Sequence, residues 1–237
     1  MKRINLSNDA IKVAKELLGN YTNFSSFSNN KDDAYRFTNI VGVKVCPYCN
    51  INYTYTVYNN KGNTVIRPDI DHFEPRFENG AELELENLVP SCSTCNQTLK
   101  GKKKVSIKDY LHPYRDDFDS IESFHISLSN LNIFDENCFS IVFTPNKNAD
   151  KENVKRAENN IKLFKLNERY QYHKDIVVDI FRKIAFYNHY KQQEINKILS
   201  GERISVSLDS ILFPDKDCDI NKNSLGKLKK DIIKLYL

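Results

Sequence analysis

The sequence predicts an α+β protein, with short strands and a cysteine-rich segment in front of a mainly helical C-terminal region. Between residues 52 and 66, stretches rich in Tyr, Thr and Val flank a run of turn residues, as in a β-hairpin. After Asp150, apolar residues recur at helical spacing. We expect residues 1–40 to form an N-terminal helical arm, 41–110 a core stapled by cysteines, and 111–237 a hairpin followed by helices.

The composition bounds the class of protein. The chain has 237 residues, of which 40% are hydrophobic and 11% aromatic, enough for a packed interior. No apolar run approaches the roughly 18 to 20 residues that cross a bilayer, and the first residues do not read as a secretion signal. We therefore expect a cytoplasmic protein without membrane contact. The net charge of +4 permits a nucleic-acid partner without requiring one.

The first elements follow from apolar spacing and turn residues. A helix is expected from Asn8 to Leu18, where polar residues open an apolar face and Gly-Asn closes it. Residues 21–33 are rich in Asn and Ser and should form a loop leading to the first cysteine pair. The hairpin of 52–58 with 64–66 should deliver the chain to the segment Pro68–His72.

The remaining elements are expected from the same patterns. They are a short strand at Leu88-Val89, a helix from Cys95 to near Gly101, a second hairpin joining 124–128 to 139–143, two long helices over 150–164 and 177–187, and a last helix over 225–235.

Four of the six cysteines form two C-x-x-C pairs, Cys46/Cys49 and Cys92/Cys95. At this spacing both thiolates of a tight turn reach one zinc ion, and two such turns complete a tetrahedral site. Four thiolates leave no open coordination position, so this zinc should organise structure and not perform chemistry. The alternative is one redox-active pair beside an unrelated one, although no βαβ pattern surrounds either. The other two, Cys138 and Cys218, are expected to be packing residues.

Residues 50 to 91 between the pairs enclose further polar residues. Asp71-His72 comes first, Asn87 follows, and Asn96 stands directly after the second pair. Of these residues, His72 can act as a general base that deprotonates water near neutral pH. Asp71 with Asn96 offers the oxygen ligands that Mg²⁺ or Mn²⁺ prefers.

This order of Asp-His, Asn and Asn after C-x-x-C resembles the HNH endonuclease family in its His-Asn-Asn form. The resemblance implies a ββα-metal fold with a four-cysteine zinc knuckle and hydrolysis of phosphodiester bonds in DNA, or else RNA. It implies the same roles for His72, Asp71 and Asn96, and it makes Asn87 the residue that holds the loop and orients the His72 ring. Adjacent residues of a regular strand point to opposite faces, so the strand must end or twist at Asp71-His72.

Other charged residues near this motif have two interpretations. Asp69 and Glu74 could join the metal shell or be solvated charge on a loop. Four lysines after the second cysteine pair could contact backbone phosphates, or form a solvated face. These are Lys100, Lys102, Lys103 and Lys104.

Two later segments, His112-Pro113-Tyr114 and Leu166–Tyr170, resemble elements of stand-alone HNH proteins of the Septu and retron-associated type. Some of those proteins occur in anti-phage defence operons beside an ATPase, so the resemblance implies an antiviral effector with an ATPase partner subunit. His112 is expected either to reach the site as a phosphate or metal ligand or to be a packed structural residue.

Two rival functions remain open at this stage. The chain could be a zinc-dependent nucleic-acid-binding module without catalysis, in which the lysines and zinc matter and His72 does not. It could also be an interaction protein, since the apolar stripes of the two long helices could dock a partner such as an ATPase subunit. Most such stripes are core.

Overall fold

The computed structural model describes residues 1–8, 11, 12, 15, 31–74, 85–186, 193–195, 197, 198 and 212–237. It confirms the α+β prediction, with several helices toward the C-terminus. The α-helices described are α1 (Lys31–Val41), α2 (Phe118–Ile121), α3 (Lys151–Leu163), α4 (Leu166–Tyr170), α5 (Lys174–Phe186) and α6 (Gly226–Tyr236). The strands are β1 (Val57–Tyr58), β2 (Thr64–Ile66), β3 (Asp69–His72), β4 (Leu88–Ser91), β5 (Glu122–Leu128) and β6 (Phe139–Pro145).

The strands of the described residues pair as three antiparallel two-stranded sheets: β1 with β2, β3 with β4, and β5 with β6. In the second sheet Asp69 lies opposite Ser91 and His72 opposite Leu88. A helix of π type, Thr94–Lys100, follows this sheet and contains Cys95, the last cysteine of the second pair. The sheet and the π-helix together form the small unit that carries the sequence motif.

Two apolar cores hold these elements. The larger joins the cysteine turns to the second hairpin and the later helices, through residues such as Tyr48, Phe124 and Leu228. The smaller packs α1 against the β3–β4 sheet, through Phe37 and Leu88. Because apolar burial is the main stabilising contribution, the small sheet depends on both neighbours for its rigidity.

The C-terminal segment is docked on the first cysteine turn through Asn50. This residue has a φ of 53°, a left-handed conformation that Asn tolerates better than most residues. Its buried side chain accepts a hydrogen bond from the backbone N–H of Lys227 at 2.9 Å and donates to the carbonyl of Ile220. Its own carbonyl accepts from the N–H of Leu225 at 2.7 Å. The turn that presents the first two cysteines is therefore braced from about 170 residues further along the chain.

The structure corrects the prediction around residues 21–58 in two places. Residues 31–33, expected in a loop, open helix α1, whose apolar face of Ala34, Phe37 and Val41 packs in the smaller core. The Asn/Ser bias of the preceding residues hid this pattern. The first hairpin strand is shorter than expected, because Tyr53 bridges back to Val45 and only Val57–Tyr58 pairs with β2.

Most other expected elements are confirmed. Strand β4, the second hairpin, the helix from Cys95 to Gly101 and the last helix lie where the patterns put them. The short helices α2 and α4 were not expected. The expected helix from Asn8 to Leu18 is described only at residues 8, 11, 12 and 15, all helical, and Tyr187 lies outside the described residues. None of the described helices combines the length and apolar character that spanning a bilayer requires.

Candidate metal centre and active site

The four paired cysteines converge on one point. All four are buried, and their Sγ atoms lie within 4.8 Å of one another. A tetrahedral zinc with Zn–S bonds of about 2.3 Å would separate its sulfurs by about 3.8 Å, so the quartet can hold such an ion with small adjustments. Burial, followed by contacts with the other three thiols, raises the pKa of the Cys46 thiol well above its ordinary value. Metal binding by Cys46 must therefore displace the proton of this thiol.

Several N–H groups point at the sulfurs. The side-chain amide of Asn52 donates to Cys92 Sγ at 3.3 Å, and the backbone N–H of Cys92 donates to Cys46 Sγ at 3.4 Å. The guanidinium of Arg169 donates to Cys95 Sγ at 3.4 Å. Such donors stabilise thiolate ligands and tune a metal site from outside its coordination shell. Arg169 belongs to α4, one of the two segments that resemble stand-alone HNH proteins, and its neighbour Tyr170 donates to the carbonyl of Cys49 at 2.7 Å.

The carboxylate of Asp71 is fully engaged on the inner side of the β3–β4 sheet. Tyr48 donates its hydroxyl to Oδ2 at 2.6 Å, and Lys100 places Nζ 2.7 Å from Oδ1. Burial raises the pKa of Asp71, against the opposing effects of Lys100 and Tyr48. Lys100 also donates to the carbonyl of His72. The carboxylate expected to bind a divalent ion is thus already neutralised by an ammonium group.

The structure brings Asn96 to Asp69, and not to Asp71. The Asn96 amide donates to Asp69 Oδ2 at 3.3 Å, and the Gln97 amide donates to the same oxygen at 2.9 Å. Asp69 and Asp71 are two residues apart on one strand and so share a face. Either amide can turn its carbonyl oxygen toward this point by rotating about its last torsion. The donor set there therefore fits a hard divalent cation.

His72 is half-buried and stands at the last position of β3, so the strand ends at the point that the motif required. Asn87 is hydrogen-bonded to the two residues that follow His72. The Asn87 side chain accepts from the N–H of Glu74 at 2.7 Å and donates to its carbonyl at 3.3 Å, while the Asn87 carbonyl accepts from Phe73. These bonds fix the backbone on the C-terminal side of His72.

The lysine cluster divides into two kinds of residue. Lys100 is a correction: its ammonium is buried against Asp71, on the inward side of the π-helix, and is not exposed on the surface where a phosphate could reach it. Lys102, Lys103 and Lys104 are exposed immediately after the helix.

His112 lies in the core. Its ring meets the edge of Phe73 at a centroid distance of 4.3 Å, and its Nδ1 accepts from the N–H of Tyr114 at 3.2 Å. Burial, helped by the charge of Arg115, lowers the pKa of His112 to about 4, so the ring is neutral at pH 7. These contacts are those of a packed core residue. His112 lies against Phe73, the residue that follows His72.

The site is thus a small antiparallel sheet followed by a helix, with a four-cysteine metal centre at one end and polar residues on the sheet. Residues 59–102 match the family model described as HNH endonuclease. The chain accordingly contains an HNH domain, in the segment that holds Asp71, His72, Asn87 and Asn96. No curated protein and no solved structure matches the chain significantly.

Sequence reasoning missed three contacts of the site. The C-x-x-C pattern does not indicate that Tyr48, between its two cysteines, donates to Asp71, although a buried aromatic hydroxyl needs a partner. The sequence does not predict the ion pair of Lys100 with Asp71, because a cluster of lysines usually indicates solvent-exposed side chains. The bond from Arg169 to the metal centre crosses from residue 169 to residue 95, and no local pattern reveals such a contact.

Proposed function

We propose that the protein is a metal-dependent endonuclease that hydrolyses phosphodiester bonds of nucleic acid. The observation that carries the proposal is the HNH match together with the half-buried His72 at the end of β3. In this proposal the four cysteines bind a structural zinc ion, and the chemistry occurs on the β3–β4 sheet. Nucleic acid is the substrate, with DNA favoured.

The residues have separate tasks in the proposed reaction. His72 removes a proton from the attacking water as general base. Asp71 and Asn96 would hold a Mg²⁺ or Mn²⁺ ion, which would supply positive charge at the leaving oxygen. Asp71 takes part only if the Lys100 ammonium moves aside, and Asp69 lies ready beside Asn96 as a further oxygen donor. Asn87 holds the backbone beyond His72, and Lys102 to Lys104 contact the phosphate backbone.

The test is a substrate panel with controlled metals. Purified zinc-loaded protein is incubated with duplex DNA, single-stranded DNA and RNA, with Mg²⁺ or Mn²⁺ added, and products are resolved by length. Cleavage of internal bonds that requires the added ion supports the proposal. Binding without cleavage of any substrate would favour the rival function, a zinc-dependent binding module.

We also propose a role in antiviral defence, as an effector that works beside an ATPase subunit. The support is that two segments resemble parts of stand-alone HNH proteins and that both pack on the HNH domain. Tyr114 donates its hydroxyl to the carbonyl of Leu88 at 2.8 Å, and Arg169 meets Cys95. The check is whether the purified protein cleaves alone or only together with a co-purifying ATPase.

A further inference from the structure

Three tyrosines between the first cysteine pair and β2 have partly exposed side chains, of which Tyr58 also lies beside the ring of Tyr35. Tyr53 is 58% exposed, Tyr55 51% and Tyr58 37%, and we call these three side chains the tyrosine face. The rings of Tyr53 and Tyr55 contact each other at a centroid distance of 5.6 Å, and Thr54 between them is buried. Large aromatic side chains are usually buried, so neighbouring exposed ones mark a binding surface.

Both ends of this segment are attached close to the proposed active site. At its start, Asn52 donates to Cys92, the residue after Ser91, and Ser91 lies opposite Asp69 in the β3–β4 sheet. At its end, two residues separate Ile66, the last of β2, from Asp69, the first of β3. The segment that carries the tyrosine face is therefore attached at the end of the β3–β4 sheet at which Asp69 meets Asn96.

The surrounding sequence has one sign of charge. Residues 34–68 contain no Asp or Glu, and their cations are Arg36, Lys44, Lys61 and Arg67. Lys44, Lys61 and Arg67 are exposed. The Arg67 guanidinium also lies 5.8 Å from the ring centre of Tyr35. A segment that combines exposed aromatic rings with cations and no acidic residue is complementary to a polyanion that carries flat aromatic bases.

We propose that the tyrosine face stacks on unpaired bases, so that the preferred substrate has a single-stranded stretch beside the bond to be cut. The inference rests on the proposed nuclease function and names its substrate class. Duplex bases have their faces covered by neighbouring base pairs, whereas unpaired bases of DNA or RNA offer theirs to an aromatic ring. Tyr53 and Tyr55 precede the segment that matches the HNH family, which begins at residue 59.

The experiment measures binding apart from cleavage. Full-length, zinc-loaded His72→Ala protein is titrated with labelled single-stranded DNA, single-stranded RNA, blunt duplex and duplex with an overhang, by fluorescence anisotropy. Tyr53→Ala and Tyr55→Ala are added to this background. Tyr53→Phe keeps the ring, and Tyr172→Ala removes an 87% exposed tyrosine outside the segment. Zinc content and circular dichroism establish that each variant is folded.

We expect tighter binding to the two single strands and to the overhang than to the blunt duplex. Each alanine variant should weaken single-strand binding by about 5- to 100-fold, while Tyr53→Phe and Tyr172→Ala stay within about twofold. Equal affinity for single strand and duplex, or an alanine variant without effect, would overturn the inference. A loss of self-association in the alanine variants, at unchanged affinity, would also overturn it and identify a dimer surface.

The outcome separates this inference from the proposed nuclease function. If the protein prefers unpaired bases through its tyrosines but cleaves nothing, the stacking surface stands and the nuclease proposal fails. If the protein cleaves nucleic acid but its binding does not depend on Tyr53 and Tyr55, the nuclease proposal stands and the stacking inference fails. Because the chain has no Trp and 13 Tyr, quenching of intrinsic tyrosine fluorescence, reduced in Tyr53→Phe, gives a second readout of stacking.

Discussion

The ammonium of Lys100 lies 2.7 Å from Oδ1 of Asp71, and the two side chains are only 5% and 4% exposed. Tyr48 donates to the other carboxylate oxygen. This buried pair ties the π-helix and the first cysteine turn to β3. It also places a protein cation at the carboxylate for which the motif predicts a divalent ion.

Replacing Lys100 should therefore destabilise the fold strongly. In Lys100→Met the Asp71 carboxylate keeps its buried position without a cation, which costs about 3–5 kcal/mol when one partner of a buried pair is removed. Lys102→Met, at an exposed position two residues on, should change little. Urea unfolding of the zinc-loaded proteins measures both. Equal stability of the two variants would show that the pair contributes nothing.

The brace at Asn50 can be divided into side-chain and backbone contributions. Asn50→Gly keeps the left-handed φ of 53° but leaves the buried N–H of Lys227 and carbonyl of Ile220 without their side-chain partner, at about 1–3 kcal/mol each. Asn50→Ala should cost about 1–2 kcal/mol more, because a Cβ disfavours that conformation. Thermal and urea unfolding give the two values. An alanine variant more stable than the glycine variant would contradict this division.

Removal of one cysteine ligand should affect metal content and folding together. Cys46→Ser should lower bound zinc from one ion per chain and reduce the unfolding temperature, since metal binding and folding are coupled. Cys138→Ser, outside the quartet, serves as the matched control. A chromogenic zinc-release assay measures the ion. Full zinc occupancy in Cys46→Ser would rule out the four-cysteine site.

Glu122 should make stability depend on pH. Burial, with the nearby charge of Glu158, raises its pKa from 4.5 to about 7, although Lys227 opposes the shift. The folded state therefore binds the proton more tightly than the unfolded state, so this group's contribution falls as pH rises from about 4.5 to 7 and stays unfavourable above that. Glu122→Gln should flatten the stability curve in this window. Parallel curves for wild type and variant would contradict the shift.

The spacing of particular residues predicted much of the fold. Alternation over 124–128 and 139–143 predicted the second hairpin, and the apolar spacing after Asp150 predicted α3, whose N-terminus Asp150 caps by accepting from Glu152 and Asn153. The cysteine spacing predicted a quartet that the structure brings together. These features are local: they depend on residues near in sequence whose backbone preferences agree with the tertiary structure.

Other features depended on contacts that sequence spacing does not contain. Helix α1 is stabilised by packing in the smaller core, and a helix of that length has little stability alone. The motif does not indicate whether the Asn96 side chain contacts Asp69 or Asp71, because these two residues share a face of β3. The geometry of the π-helix places Asn96 beside Asp69. Gly101 donates to the Asn96 carbonyl, five residues back, at 2.8 Å, which turns this helix differently from a regular one.

The central claim is that chemistry belongs to His72 while the cysteines only hold the frame. The most direct measurement compares the cleavage rates of wild type and His72→Ala at saturating Mg²⁺ or Mn²⁺, with zinc content and unfolding temperature matched. Loss of a general base typically costs 10²- to 10⁴-fold in rate, so we expect a fall of at least about 100-fold with one zinc still bound. Cleavage by His72→Ala within a few-fold of wild type would contradict the account.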